Sequence, residues 1–136
     1  RGCRARCSFC SVRNFNGKGV RGRTFSSVVD ELQYLKEYHG VNHVMWLDDD
    51  LLFDRERTIN MFNEMVKRNL DITWDASNGI IASALKDEVL DAAAASGCIG
   101  MHFGIESGND EILKSVHKPS GKKHYLALEN KLKNNS

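Results

Sequence analysis

The segment VNHVMWLDDD, from Val41 to Asp50, joins a short apolar run to three consecutive carboxylates. The apolar residues from His43 to Leu47 predict a buried β-strand that ends where the acidic residues begin. In barrels of parallel strands, functional groups gather at the carboxyl ends of the strands. The polar residues that follow this run are therefore candidates for a functional site.

A helix is predicted on each side of this strand. Upstream, Ser26 or Ser27 can cap a helix that keeps helical spacing of its apolar residues and ends at Gly40. Downstream, Asp54 is a suitable cap for a helix that closes at Asn69. The apolar face of this second helix is predicted to comprise Ile59, Phe62, Met65 and Val66.

The alternation of strand and helix continues along the chain. Strands are predicted over Ile72–Trp74 and Ile99–Ile105, and helices over Lys86–Ser96, closed by Gly97, and Asn109–Val116, before Lys118-Pro119. This order favours an α/β fold with a parallel sheet, because parallel neighbours need long crossover connections. A complete eight-unit barrel takes about 250 residues. The 136 residues are expected to form part of such a barrel, truncated at both ends, since the chain starts without Met and ends in a polar run.

The composition is that of a globular protein, with 41% hydrophobic and 27% charged residues. No stretch approaches the roughly 20 apolar residues of a membrane span, and no signal peptide opens the chain, so a cytoplasmic location is expected. A net charge of +1 argues against a dominant nucleic-acid or membrane-surface role. The residues before Asp30 nevertheless carry no acid. Their basic side chains form a solvated face, a field that complements an anionic cofactor, or a nucleic-acid contact.

Three of the four cysteines fall within eight positions, in Cys3-Arg-Ala-Arg-Cys7-Ser-Phe-Cys10. Disulfide scaffolds need pairs and an oxidising compartment, whereas tightly spaced cysteines usually bind metal or do redox work. Three thiolates in a short loop can reach three corners of a 4Fe-4S cube, and the fourth iron is left open for a substrate or cofactor. Cys98, in an apolar context, is interpreted as a small buried residue.

A structural zinc site is the alternative interpretation of this loop. Its fourth ligand would be His39, His43 or His102. Zinc motifs usually come as two spaced pairs of ligands, and the sequence has no second pair of cysteines. A non-catalytic metal-binding module, with zinc or a relic cluster, thus remains the rival from another functional class.

The segments RGCRARCSFC, WLDDDLLFDRERTINMFNEM and GIESGNDEILKSVHKP resemble the radical S-adenosylmethionine (radical SAM) superfamily, in the branch that often carries a cobalamin-binding domain. The resemblance covers most of residues 1–119. It implies that residues 1–121 are the N-terminal part of a radical SAM core, a partial TIM barrel, and that residues 122–136 are a truncated continuation or tail.

By this resemblance, Cys3, Cys7 and Cys10 bind a 4Fe-4S cluster whose open iron chelates S-adenosylmethionine. One electron then cleaves the sulfonium to methionine and a 5'-deoxyadenosyl radical, which abstracts hydrogen from a substrate. Such an enzyme needs an electron donor such as flavodoxin or ferredoxin, and in this branch it works with cobalamin bound by a domain outside these residues. The substrate is a small molecule or unknown, and no nucleic-acid partner or membrane span is evident.

The resemblance also suggests the contacts of the cofactor. Phe9 is expected near the adenine, with a core phenylalanine as the alternative. Asp48 or Asp49 is expected to receive the amino group of S-adenosylmethionine, whereas Asp50 is expected to face water. Glu106 and Ser107 are expected at the ribose, or as a helix cap instead. Asp75, Ser77 and Asn78 are candidates to face the substrate because they follow a predicted strand, not because of the resemblance. Possible reactions are cobalamin-dependent methyl transfer and, as an alternative among enzymes, methylthiotransfer.

Overall fold

The computed structural model describes residues 1–134 and contains one parallel sheet of three strands. The strands are β1 (His43–Met45), β2 (Thr73–Ala76) and β3 (Cys98–Met101), in the order β1-β2-β3. His43 aligns with Thr73, and Trp74 aligns with Cys98. The predicted α/β fold with a parallel sheet is confirmed. The strands are shorter than predicted at the ends of β1 and β3, where the chain leaves the ladder for the loops of the site.

Helices connect the strands and continue beyond the last one. They are α1 (Val12–Phe15), α2 (Phe25–His39), α3 (Arg55–Lys67), α4 (Asp87–Ala95), α5 (Asp110–Ser115) and α6 (Lys122–Asn134), with a 3-10 turn at Ala82–Ala84. The short α1 was not predicted. α6 occupies most of the segment that was predicted as a continuation or tail, and residues 135 and 136 lie outside the described part of the chain.

The helix ends follow the capping chemistry of the sequence, with one correction. Asp54 accepts a hydrogen bond from the Arg57 amide and caps α3, and Gly40 ends α2 in the left-handed conformation at φ 65°. The cap of α2 is Thr24, whose hydroxyl accepts from the Ser27 amide. The prediction of Ser26 or Ser27 was wrong because Thr24 is extended and takes the cap position, which leaves both serines inside the helix.

The core lies between the sheet and helices α3 and α4. Trp74 of β2 is fully buried and stacks on Phe62 of α3, with ring centroids 4.8 Å apart. The α3 residues that enter the core are Thr58, Met61, Phe62 and Met65. Val66 is 44% exposed, so its predicted place on the buried face was wrong, because Met61 and Met65 rather than Val66 flank Phe62.

The opposite face of the sheet is open in the described structure. Because side chains alternate along a strand, the buried Trp74 leaves Thr73 and Asp75 on the other face. His43 bridges these two side chains, with Nδ1 2.9 Å from Thr73 Oγ1 and Nε2 2.9 Å from Asp75 Oδ2. In a barrel of parallel strands this face is the interior. No helix among the described residues is long and apolar enough to cross a membrane.

Candidate functional site

A cavity of about 280 Å³ opens beyond the carboxyl ends of the strands. Cys3, Cys7 and Cys10 all line it, so the structure brings the three predicted ligands to one place. The cavity is also lined by Phe9 of the loop itself and by residues of other segments, among them Asp49, Asn78, Glu106, Lys118 and Tyr125.

The cysteine loop is held in place by backbone contacts at both ends. Gly2 lies at φ 89° and donates its amide hydrogen to Asp49 Oδ2 at 2.7 Å. A Cβ at Gly2 would lie 2.1 Å from the carbonyl oxygen of Gly19, so only glycine fits there. At the far end, the Ser8 amide donates to the Val116 carbonyl at 3.0 Å, just beyond α5. The loop is therefore tied to the segment that follows β1 and to the end of α5.

The three thiols of the loop are a donor set that an iron-sulfur cluster can use. All three cysteines are free, and Cys10 is exposed. Among the described residues, no three His, Cys, Asp or Glu side chains lie close enough to share one metal ion. A 4Fe-4S cube is larger than one ion and takes thiolate ligands at separate corners. Three free thiols around one cavity fit that donor set.

The predicted zinc alternative receives no support from the positions of the histidines. None of His39, His43 and His102 is among the residues that line the cysteine cavity. His43 is bonded to Thr73 and Asp75 on the open face of the sheet. His39 contacts the Tyr34 ring on α2, with centroids 5.5 Å apart.

Burial sets the ionisation of two of the thiols. Partial burial raises the pKa of Cys3, and the Ala5 amide, which donates to its sulfur at 3.4 Å, offsets part of that rise. Burial also raises the pKa of Cys7, while the nearby Lys118 ammonium acts in the opposite direction. The net effect is a raised pKa at both cysteines, because burial outweighs the opposing contacts, and the protonated thiol is favoured.

The three aspartates after β1 have three different environments. Asp49 lines the cysteine cavity, and its Oδ2 accepts from the Gly2 amide and from Asn16 Nδ2, both at 2.7 Å. Asp48 lies in a different cavity of about 560 Å³ beside β1. Of the two predicted contacts for the amino group, the structure brings only Asp49 to the cysteines.

Asp50 does not face water, and that prediction was wrong. It is only 4% exposed, and its Oδ2 lies 3.0 Å from Nε of Arg4. Burial raises the pKa of Asp50, and the Arg4 guanidinium and amide offset part of the rise. Buried carboxylates are stable when paired, so Asp50 serves to anchor the segment between Cys3 and Cys7.

The segment after β3 places one of its two predicted residues in the cavity. Glu106 lines the cavity in the left-handed conformation at φ 63°, and its Oε1 lies 2.9 Å from Nζ of Lys118. Ser107 does not line the cavity, and its hydroxyl accepts from the Asn109 amide. The cap of α5 is Asn109, which accepts from the Glu111 and Ile112 amides. Neither Glu106 nor Ser107 is therefore the helix cap.

Phe9 lies at the cavity rather than in the core. Its side chain is 55% exposed, so the alternative of a core phenylalanine was wrong. Nζ of Lys118 lies 5.7 Å from the ring centroid, within the range of a cation-π contact. The ring therefore offers an apolar surface at the mouth of the cavity.

Lys118 and Tyr125 are among the cavity residues that were not predicted from the sequence. The side chain of Lys118 is 15% exposed and reaches Glu106 and Phe9. Tyr125 of α6 donates its hydroxyl to the Gly104 carbonyl at 3.0 Å. Lys118 was interpreted only as part of a helix-breaking Lys-Pro pair. No local signal in the segment GIESGNDEILKSVHKP distinguishes Lys118 from Lys114.

Of the three residues predicted to face the substrate, Asn78 lines the cysteine cavity. Its Nδ2 donates to the carbonyls of Leu47 and Asp48, which joins the ends of β1 and β2. Asp75 lies on the open face of the sheet and accepts hydrogen bonds from the amide and hydroxyl of Ser77. The Ser77 hydroxyl, followed by His43, lowers the pKa of Asp75.

The sequence is similar to those of proteins named as methyltransferases. It is 33% identical over 118 residues to an uncharacterized methyltransferase of Pyrococcus horikoshii, covering 87% of this chain and 25% of the relative. It is 34% identical over 135 residues to the bacteriochlorophyllide d C-12(1)-methyltransferase of Chlorobaculum tepidum, covering 97% of this chain and 29% of the relative. The chain thus spans about a quarter of the length of these relatives.

A solved structure shares the fold. The radical S-adenosylmethionine methyltransferase TsrM of Kitasatospora setae, with cobalamin and a [4Fe-4S] cluster bound, superposes with a TM-score of 0.77 at 24% identity. The match covers 91% of this chain and 26% of TsrM. The predicted partial barrel is consistent with this likeness. The model of the Radical SAM superfamily matches residues 1–135, and its enzymes use a 4Fe-4S cluster and S-adenosylmethionine. The chain belongs to the radical SAM superfamily.

Proposed function

We propose that this chain is the part of a radical SAM methyltransferase that holds the cluster and one side of S-adenosylmethionine. The observation that carries the proposal is the shared cavity, in which Cys3, Cys7 and Cys10 face Asp49 and Glu106. Three thiolates supply three ligands and leave one iron for the cofactor. The two carboxylates supply acceptors for a cationic amino group and for hydroxyls.

The individual residues of the cavity take distinct roles in this proposal. Asp49 accepts from the amino group of the cofactor, because its fixed carboxylate keeps acceptor capacity beyond its two existing bonds. Glu106 accepts from the ribose hydroxyls. Lys118 attracts the carboxylate of the cofactor, since its ammonium lies at the cavity with one acidic partner. Phe9 packs on the adenine.

Ser107 and Asp48 take supporting roles. The Ser107 hydroxyl holds the Asn109 amide and so fixes the backbone that positions Glu106. The Asp48 carbonyl accepts from Asn78 and fixes the end of β1 beside Asp49. The bound cluster supplies one-electron reduction of the sulfonium, which yields methionine and a 5'-deoxyadenosyl radical. The protein orients the cofactor and excludes water from the cavity.

We further propose that the reaction is cobalamin-dependent methyl transfer to a small molecule. The methyltransferases named above support methyl transfer, and the cobalamin in TsrM supports the second cofactor. In this proposal residues 1–121 form the N-terminal part of the core, residues 122–136 continue it, and cobalamin is held by a domain outside them. Methylthiotransfer, the alternative among enzymes, would deliver sulfur with the methyl group.

Anaerobic reconstitution with iron and sulfide tests the cluster. We expect a brown species with a broad absorption near ~400 nm, and an EPR signal that changes when S-adenosylmethionine is added to the reduced protein, as expected of an open iron site. Tight zinc binding without such a change would contradict the proposal and favour a non-catalytic module.

Two cysteine variants sharpen this experiment. Cys7→Ser removes a proposed ligand and should abolish the absorption band. Cys98→Ser is the matched control, because Cys98 lies in an apolar cavity beside α4 and is absent from the cysteine cavity. Retention of the band by Cys7→Ser, or its loss in Cys98→Ser, would contradict the assignment of ligands.

A further inference from the structure

Asp49 differs from the other acidic side chains near the cysteines in the groups that hold it. Asp50 is paired with the Arg4 guanidinium at 3.0 Å. Glu106 is paired with the Lys118 ammonium at 2.9 Å. Among the described residues Asp49 has no cationic partner, and only uncharged amides donate to it. Its carboxylate is therefore fixed in place, and no cation of the chain compensates its charge.

Both amides reach the same oxygen of Asp49. The Gly2 backbone amide and Nδ2 of Asn16 each donate to Oδ2 at 2.7 Å. The amide oxygen of Asn16 would be repelled by the carboxylate, so the contact fixes which way the amide points. In the described part of the chain no donor reaches the other oxygen, Oδ1. Because Asp49 lines the cysteine cavity, Oδ1 is the acceptor that remains for a ligand there.

The backbone of Asn16 is itself held beside the start of the cysteine loop. Asn16 ends α1, where its amide donates to the Val12 carbonyl. Its carbonyl accepts from Nη2 of Arg21 at 2.6 Å. Arg21 in turn exchanges two backbone hydrogen bonds with Arg1, at 2.8 and 2.9 Å. The side chain of Asn16 thus approaches Asp49 from a fixed position, as a group that orients another group must do.

We propose that Asn16 is a positioning residue that holds Oδ2 of Asp49 and so presents Oδ1 to the amino group of S-adenosylmethionine. This inference rests on the proposed role of Asp49 as the acceptor of that group. An uncharged amide suits this task, because a lysine or arginine at Oδ2 would compete with the cationic amino group for the carboxylate. Asn16 should therefore increase the affinity for ligands that carry the amino group and leave the affinity for ligands without it unchanged.

The test measures the Kd of two ligands for the reconstituted full-length protein by anaerobic titration calorimetry. The cluster is left oxidised, so no cofactor is cleaved. One ligand is S-adenosylmethionine, and the other is the analogue that lacks its amino group. Asn16→Ala should raise the Kd of S-adenosylmethionine by about tenfold and leave the Kd of the analogue unchanged. Asn16→Gln keeps an amide donor and should recover part of the lost affinity.

Asn14→Ala is the matched control. Asn14 lies on the same short helix, is exposed, and has no side-chain partner among residues 1–134, so both Kd values should stay unchanged. An unchanged Kd of S-adenosylmethionine in Asn16→Ala would overturn the positioning role. An equal rise for both ligands, or loss of the cluster band in that variant, would also overturn it, because Asn16 would then only support the loop.

Asp49→Asn separates this inference from the proposed function. It should raise the Kd of S-adenosylmethionine at least as much as Asn16→Ala does. If Asp49→Asn weakens binding and Asn16→Ala does not, this inference alone fails. If Asp49→Asn has no effect, or if the unmodified protein forms no cluster band, the proposed function fails together with this inference.

Discussion

The two faces of the sheet differ in burial and polarity. On the helical face, Trp74 is fully buried on Phe62, and the core is continuous from α2 to α4. On the other face, His43 and Asp75 form polar contacts beside the exposed Ile99. The cysteine loop joins neither face and sits at the strand ends. Stability therefore resides on the helical face, and the proposed chemistry resides at the strand ends, so the two can be perturbed separately.

The largest expected effect breaks the site and spares the core. Cys10→Ala removes a proposed cluster ligand from an exposed position, so cluster loading should fall to zero. The free energy of unfolding of the apoprotein should change by less than about 0.5 kcal/mol, as for other surface substitutions. Iron content after reconstitution and urea unfolding of the apoprotein measure the two quantities. A large loss of apoprotein stability would show that the loop supports the core.

The second effect breaks the core. Phe62→Ala removes the ring stacked on Trp74 and should lower the free energy of unfolding by about 3–5 kcal/mol. Phe15→Ala is the control, because that ring is 89% exposed, and the same measurement should change by less than about 0.5 kcal/mol. Urea unfolding of both apoproteins, followed by tryptophan fluorescence, checks the difference. An equal loss of unfolding free energy in both variants would contradict the claim that stability resides on the helical face of the sheet.

The third prediction concerns Asp50, a buried residue that connects the core to the cysteine loop. Asp50→Ala removes the buried partner of Arg4 and should cost about 1–3 kcal/mol of unfolding free energy. It should also slow cluster loading, because Arg4 lies between Cys3 and Cys7. Glu31→Ala breaks an exposed pair with Arg23 and should cost less than about 1 kcal/mol. If iron is incorporated equally fast in both variants, Asp50 does not help to position the cysteine loop.

The smallest effect concerns the open face and depends on pH. The Ser77 hydroxyl and His43 lower the pKa of Asp75, so its ionised form stabilises the folded state above the ordinary pKa of Asp, about 4. This contribution is lost as the pH falls through the lowered pKa. Thermal unfolding should therefore show Asp75→Asn less stable than the unmodified protein at pH 7, with the gap narrowing at acid pH. If the difference in thermal stability does not change with pH, it arises from packing and not from the charge of Asp75.

Much of the architecture could be predicted from the sequence because it depends on local chemistry. The strand before Asp48, the cap at Asp54 and the stop at Gly40 follow from short-range patterns, and the structure contains each of them. The prediction that this strand is buried was wrong, because Met45 is 53% exposed. The fate of the three neighbouring aspartates could not be predicted in this way. The environments of Asp49 and Asp50 depend on Gly2, Arg4 and Asn16, which are more than thirty residues away in sequence.

The predictions for the site failed where the long-range fold decides. Lys118 reaches the cavity only because the segment after α5 folds back beside Glu106. The orientation of Ser107 away from the cavity follows from the positive φ of Glu106 just before it. Neither feature has a local sequence pattern that would identify it. The cysteines needed no such information, because their spacing alone places them in one loop.

The bond between Gly2 and Asp49 links two binding events. Asp49 is the carboxylate proposed to receive the cofactor, and the same oxygen fixes the start of the cluster loop. Any ligand that orders one of these partners reduces the conformational entropy that remains for the other to lose. The cluster and S-adenosylmethionine should therefore bind with positive cooperativity, and by linkage each should raise the affinity of the other by the same factor.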